Sequence, residues 1–404
     1  MKAQPRWIWY SILILLSLKL PLYAQDTLVV KYAYIQTDSA GLHRIPSANV
    51  IAANAGKKVI ANTVTTSNVA VFNEDSYVQQ LASLDKYDKK HDPRPVVNLL
   101  KENKFDAVAK DKKHSHKFYY HLANIFTRLK MYQLAMKCYF KTLPVYETSN
   151  AHLSDTVTLN ASGQQNSDPS FALINAQADT SVAGLLAINS RDEQLLTADT
   201  GNYTYTGKEI QSKPEEVCNI TDPFDDGKEA SAYALMIHIQ QPLSGKRKIF
   251  TKLSRVGHTF ITLIKYNTDS TSVSRSFGFY PRKDHFLSAT PLFPTTKSVF
   301  KDDERHNWDE TVGKFISERK FKKILEVIKE YDQKRYNLNK NNCTDFGLNL
   351  AGTAGIKIMD TKGSWPFGRG NNPANAGQSV LEGKVLNMDS NHALFICNDL
   401  DLKP

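Results

Sequence analysis

Hydrophobic and polar positions divide this chain into a helical stretch followed by a strand-rich one. Across residues 118–146 the apolar side chains Tyr119, Leu122, Ala123, Phe126, Ala135 and Tyr139 recur at helical spacing with one interruption, which predicts a helical hairpin. Upstream, Val96, Leu99, Leu100, Phe105 and Val108 predict another helix over 95–110. Residues 25–90 read as a small β-containing segment, opened by the β-branched and aromatic run 27–35 and closed by a charged connector. Beyond residue 225 the period shortens. Runs at 232–239, 258–266 and 273–280 predict strands, and 311–316 a further one. Phe321, Ile324, Leu325, Ile328 and Tyr331 then give an i, i+3, i+4, i+7 stripe and so a helix. Residues 336–338 are extended, and Cys343 opens the last main helix, which Gly355 stops. The stretch 363–373, rich in glycine and asparagine, predicts neither regular element. The pattern is that of an α+β domain over 225–404, preceded by a mostly helical region over 91–190 that ends in a polar linker.

Composition narrows this picture. With 404 residues, 41% of them hydrophobic, the chain buries real cores and is not a disordered protein. Residues 1–24 read as a secretory signal: Lys2 and Arg6 precede a short apolar run, and Leu22-Tyr23-Ala24 is an acceptable cleavage site. The run falls short of the roughly 20 residues a bilayer span needs. Removing Lys2, Arg6 and Lys19 with that leader lowers the formal charge from +10 to 10 − 3 = +7. This mild excess suits anionic envelope surfaces, and no nucleic-acid-binding signature accompanies it. Export would expose Cys138, Cys218, Cys343 and Cys397 to oxidation, and their even count invites one or two disulfides. One bridge, such as Cys218–Cys397, spares Cys343, whereas two consume it.

Candidate chemistry centres on Cys343. A thiol where an Asn-rich turn becomes a helix feels the positive end of the helix dipole and unpaired backbone N–H groups, which favour thiolate. His258, opening a strand after Gly257, is the base such a thiol needs. His285, His306 and Asp345 are the other polar partners considered. His114, His116 and His121 lie close together without further converging ligands, so no metal or other cofactor is read from the sequence.

The stretch Gly257-His258-Thr259-Phe260, together with Asn342-Cys343-Thr344, resembles the His and Cys boxes of papain-like thiol enzymes of permuted topology. These include NlpC-type cell-wall peptidase relatives, the lecithin retinol acyltransferase group and the Lnb-type periplasmic domain of bacterial lipoprotein N-acyltransferases, whose wording is closest. The resemblance covers roughly residues 230–360. It implies a permuted antiparallel sheet with packed helices, Cys343 as nucleophile and His258 as general base. It also implies a third, orienting polar residue on the strand after the histidine, where Ser274, Ser276 and Tyr280 stand without a carboxylate. Asn342 and the Cys343 amide are the expected oxyanion donors. Apart from the resemblance, the side chains of Trp365, Phe367 and Arg369 suit either a substrate groove, with the arginine holding an anion and the aromatics a sugar or lipid face, or a Gly-rich surface turn. Separately, residues 118–146 resemble one tetratricopeptide repeat, which cannot bury its own face and needs a partner.

The expectation is an exported thiol enzyme that transfers or hydrolyses acyl groups on an envelope amide or ester, peptidoglycan peptides first and acyl lipids second. The contrasting reading is a non-catalytic envelope binding or scaffold protein that contacts a protein partner through its helices.

Overall fold

In the computed structural model of the chain, the described residues are 112–143, 192, 211–250, 256–285, 287–389 and 394–398. The leader, the β-containing segment at 25–90, the helix expected at 95–110 and the linker from 147 to 182 lie outside them. The described residues all belong to one compact unit, Val69–Pro404.

Two helices come first, α1 (Lys112–Arg128) and α2 (Tyr132–Phe140). They are followed by β1 (Lys213–Glu215), the short α3 (Val217–Thr221), β2 (Ala230–Gln240), β3 (His258–Asn267) and β4 (Ser272–Pro281). Next are β5 (Thr295–Thr296), β6 (Ser298–Asp302), β7 (Glu310–Ile316), α4 (Glu318–Asp332), β8 (Tyr336–Asn337) and α5 (Cys343–Thr353). The chain closes with β9 (Ile356–Ile358), β10 (Lys362–Trp365), β11 (Gly368–Asn371), α6 (Pro373–Leu381), β12 (Val385–Asn387) and β13 (Phe395–Asn398).

A seven-stranded sheet in the order β1-β6-β4-β3-β2-β7-β13 organises the unit, and every neighbouring pair is antiparallel. The fold is therefore α+β. Its central strand β3 is buried along its whole length, which requires cover on both faces. Side chains alternate between the faces of a strand. Phe260, Ile264 and Tyr266 enter a core shared with Phe118, Leu122, Phe126 and Met136 of α1 and α2. Ile261 and Leu263 enter the other core, with Phe321 and Ile328 of α4, Phe346 and Leu350 of α5 and Val380 of α6. Hydrogen bonds from Tyr120 Oη to the Ile396 carbonyl (2.7 Å) and from Tyr266 Oη to the Gln133 carbonyl (2.7 Å) fix the first helical layer to the sheet.

The helical hairpin is a layer on the sheet, which covers the apolar face that a single repeat leaves bare. β1 and α3, which precede residue 225, join the same unit: β1 pairs with β6 at the sheet edge, and Ile220 of α3 enters the second core. The stretch 363–373 also turns out to be regular. β10 and β11 form a hairpin through Pro366 and Phe367, with Phe367 in the left-handed region at φ 64°, and Pro373 starts α6. Glycine-rich pairing of this kind carries almost no alternation for a sequence reading to detect. Among the described residues, no helix is long and apolar enough to cross a membrane.

Candidate active site

The helix that presents Cys343 is fixed at its first turn. Asn342 is its N-cap: Asn342 Oδ1 accepts from the backbone N–H groups of Thr344 (2.8 Å) and Asp345 (3.1 Å). Asp345 Oδ2 in return accepts from the Asn342 N–H at 2.9 Å, completing a capping box. Asn342 Nδ2 donates to the carbonyls of Leu338 (2.9 Å) and Asn371 (2.8 Å). Both amide hydrogens are thus committed, which corrects the expectation that the Asn342 side chain is an oxyanion donor. Its role is to build the helix start.

Helix α5 lies against β3 at Gly347, one turn beyond the thiol. A Cβ there would sit 2.6 Å from Thr259 Cγ2 and 3.3 Å from Ile237 Cδ1, so a glycine is what allows the close approach. That approach brings the buried Cys343 thiol into hydrogen bonding with the buried His258 ring. By alternation His258 projects on the same face as Phe260, towards α1 and α2, whereas α5 packs on the opposite face. The two side chains meet where β3 begins.

His258 Nε2 lies 2.9 Å from Asp303 Oδ2, leaving Nδ1 as the ring nitrogen for the thiol. Asp303 follows β6 and is fully buried. Its Oδ1 accepts from the hydroxyls of Ser212 (2.5 Å) and Tyr280 (2.7 Å), and its backbone N–H donates to the Ser276 carbonyl (2.9 Å). The Tyr280 ring also packs on the imidazole at 4.2 Å between centroids. Gly278 leaves room for the contact, since a Cβ at this position would collide with both Asp303 Oδ2 and His258 Nε2.

Asp303 is the orienting residue that sequence reasoning missed. It stands in the acidic run Asp302-Asp303-Glu304, where β6 passes into a loop, and nothing in the sequence marks which acid turns inward. The expected orienters occupy other places. Tyr280 acts on Asp303 through its hydroxyl. Ser276 does not serve His258: its hydroxyl pairs with Thr262 Oγ1 at 2.7 Å, in a buried row that continues through His238 to Thr311. That row satisfies polar groups within the sheet core, and burial lowers the His238 pKa to about 3, so this imidazole is neutral at physiological pH.

Electrostatics favour an ion pair. Burial on its own would lower the His258 pKa, but the charge and hydrogen bond of Asp303, with a contribution from Cys343, raise it to about 9. Burial on its own would raise the Cys343 pKa. The hydrogen bond and charge of His258, the Thr259 N–H and the Thr344 hydroxyl outweigh that cost, and the thiol is shifted down. Burial likewise opposes ionisation of Asp303, yet His258 and its other partners hold the carboxyl below its ordinary range. A second unforeseen residue completes the shell. The buried Tyr336 hydroxyl hydrogen-bonds the thiol and takes the Cys343 backbone N–H.

The expected groove residues are only partly gathered. Trp365 is buried, with its ring edge-on to Phe250 at 6.1 Å between centroids, while Phe367 and Arg369 are exposed on the hairpin. The hairpin is tied to the start of α5 by Asn371 Nδ2 donating to Asp345 Oδ1 at 2.6 Å. Of the remaining histidines, His306 lies beside His258 at 4.9 Å between ring centroids, and His285 sits exposed in a loop. All four cysteines are free, so neither disulfide alternative is realised and Cys343 is available as a thiol. Compared with protein-family models, curated proteins and solved structures, the chain matches none.

Proposed function

We propose that this chain is an exported thiol-dependent acyl-transfer enzyme of the permuted papain-like kind, acting on an amide or ester of the cell envelope. The observation that carries the reading is the buried row Cys343–His258–Asp303, in which each group shifts its neighbour towards the charged form. Placement in the envelope rests on the leader at residues 1–24, and the fold family rests on the two sequence boxes.

In the reaction, the Cys343 proton passes to His258 and the thiolate attacks the carbonyl carbon of the substrate. The carbonyl oxygen takes the developing charge, and the Tyr336 hydroxyl, freed from the sulfur once it has attacked, is the donor at hand. The C–N or C–O bond then breaks, and His258 returns the proton to the leaving group. Water or a second nucleophile releases the acyl group from sulfur. Asp303 holds the imidazole in the required orientation and stabilises the imidazolium. A histidine without an orienting carboxylate would favour a binding-only role, and the Asp303 carboxylate 2.9 Å from the His258 ring supports catalysis instead.

Peptidoglycan peptides remain the favoured substrate. One observation favours acyl lipids as the second: Phe367, Leu292 and Phe293 are 76%, 63% and 56% exposed. They sit on the two loops that flank residues 337–342, which lead to the thiol. The Leu338 N–H donates to the Pro294 carbonyl at 2.9 Å, and the hairpin leans on Asn339. Purified protein, Cys343→Ala and His258→Ala are to be incubated with peptidoglycan fragments and with acyl-ester lipids. Turnover of one class by the natural chain alone supports the reading. Equal turnover by either variant rejects the assigned roles.

A further inference from the structure

The turn that follows β6 places a second histidine against the His258–Asp303 pair. Asp303-Glu304-Arg305-His306 closes on itself, with the His306 N–H donating to the Asp303 carbonyl at 2.9 Å. Lys130, in the left-handed turn between α1 and α2, fastens this loop through the Arg305 carbonyl and Asn307 Oδ1. One nitrogen each from His258 and His306 and one oxygen of Asp303 then lie within 4.8 Å of one another.

We propose that His258, Asp303 and His306 form a binding site for a divalent transition metal, Zn²⁺ in particular, and that metal occupancy and thiol activity exclude each other. Two imidazoles and a carboxylate are a donor set zinc accepts, with bonds of about 2.0–2.2 Å that draw tetrahedral ligand atoms to roughly 3.4 Å apart. Side-chain adjustment of about 1 Å closes that gap.

The outer contacts are those a metal site needs. Metal-bound histidines commonly donate their other ring N–H to a carbonyl, and ligating carboxylates are themselves hydrogen-bonded. His306 Nδ1 lies 2.8 Å from the Asn307 carbonyl, which fixes Nδ1 as the protonated nitrogen and Nε2 as the ligand atom. Asp303 Oδ1 is held by Ser212 and Tyr280, so Oδ2 is the oxygen turned to the site. Gly278 leaves the space beside Oδ2 and His258 Nε2 uncrowded, and half-buried His306 provides the approach from solvent. Binding replaces the proton between His258 Nε2 and Asp303 Oδ2 with the metal and releases that proton to water. With Nε2 on the metal, the imidazole keeps its one proton on Nδ1 and has no nitrogen left to accept the proton of Cys343. Binding itself stands on the three side chains alone, and only its effect on the thiol rests on the acyl-transfer reading.

The test uses Zn²⁺ with the full chain carrying Cys218→Ser, because Cys218 is the exposed thiol. Affinity is read by competition with a chromogenic chelator, alongside the rate of Cys343 alkylation with and without metal. One equivalent should bind, His306→Ala should weaken binding at least tenfold, and Cys343→Ala should keep it. Zinc should slow alkylation in the Cys218→Ser protein, with recovery on adding chelator, and should slow it far less in His306→Ala. Absence of binding overturns the proposal. So does loss of binding in Cys343→Ala with His306→Ala unaffected, which would put the metal on the thiol. Cys343 that alkylates like an ordinary thiol without metal counts against the acyl-transfer reading while leaving the zinc result standing.

Discussion

Replacing Asp303 by asparagine tests the electrostatic argument most directly, because it keeps the shape of the buried side chain and removes its charge. Asp303 is the largest influence raising the His258 pKa from 6.5 to about 9 against the opposing effect of burial. At 1.36 kcal/mol per tenfold change, that difference is a preference of about 3 kcal/mol for the imidazolium form in the folded protein. Without the carboxylate, burial dominates and His258 falls below its ordinary value. At pH 7 the ring is then neutral, and the thiol loses the charge that offsets its own burial. An ordinary thiol with a pKa of about 8.5 is only about 3% thiolate at pH 7, and a buried one less. Cys343 labelling at pH 7 should therefore slow in Asp303→Asn, by about tenfold for each unit its thiol pKa rises. The assay is iodoacetamide labelling from pH 5 to 10, with each cysteine followed by mass spectrometry. In the natural chain the Cys343 midpoint should lie below the value of about 8.5 of an ordinary thiol, and in Asp303→Asn it should move up past that value. An unchanged midpoint and rate in Asp303→Asn would refute the coupling from Asp303 through His258 to the thiol.

Three further outcomes follow from the same geometry. Gly347→Ala drives a Cβ against Thr259 and pushes α5 off β3, so Cys343 labelling at pH 7 should drop at least tenfold and urea unfolding show a loss of about 1–3 kcal/mol; full reactivity would mean that the approach at Gly347 does not set the pair. Tyr336→Phe removes a hydroxyl donor from the thiolate, and labelling at neutral pH should fall by about ten- to a hundredfold, as expected for a hydrogen bond to a charged group; an unaltered rate assigns Tyr336 to packing alone. In Cys343→Ala, the charge and hydrogen bond of Asp303 still raise His258, whose contribution to stability is complete below pH 6.5 and is lost as pH rises through its raised folded value, so the gap in unfolding free energy between Cys343→Ala and Cys343→Ala/His258→Asn should shrink as pH rises; a gap that widens with pH contradicts the sign of the shift.

Much of the α+β half is legible in the sequence because its central strands and α4 obey simple periods. The apolar run of β3 and the stripe of α4 need no tertiary information. Cys343 and His258 are legible as candidates for the same reason: each stands at an element boundary that the pattern locates. Asp303 is different in kind. Its burial depends on the register of β6 against β4, which pairs Phe277 with Asp302 and turns the next residue towards the imidazole. No local signal separates it from Asp302, which is exposed. The role of Asn342 is legible in principle, since Asn342-Cys343-Thr344-Asp345 has the spacing of a capping box, and that chemistry uses the side-chain atoms an oxyanion donor would need. The position of α1 and α2 is not legible, because an amphipathic hairpin shows that a face must be covered but not by what.

That last point bears on what the helical layer does. A hairpin standing apart would be a docking arm for a protein partner, and removing it would leave the chemistry intact. Here the apolar faces of α1 and α2 are spent on the sheet, and Lys130 between them fastens the loop that carries His306. Tyr132 of α2 packs on His238 at 4.5 Å between ring centroids, and His238 stacks on Phe260 at 4.6 Å, which stacks in turn on His258 at 5.9 Å. The helical layer therefore forms the wall behind the base, while α5 supplies the thiol from the opposite face. A site assembled from both faces of a sheet depends on both layers. Lys130→Ala, which leaves the three ring contacts in place and releases the Arg305–Asn307 anchor, should affect zinc affinity more than the pH midpoint of Cys343. That anchor holds the residues on either side of His306, whereas Asp303 keeps its own tie to Ser276.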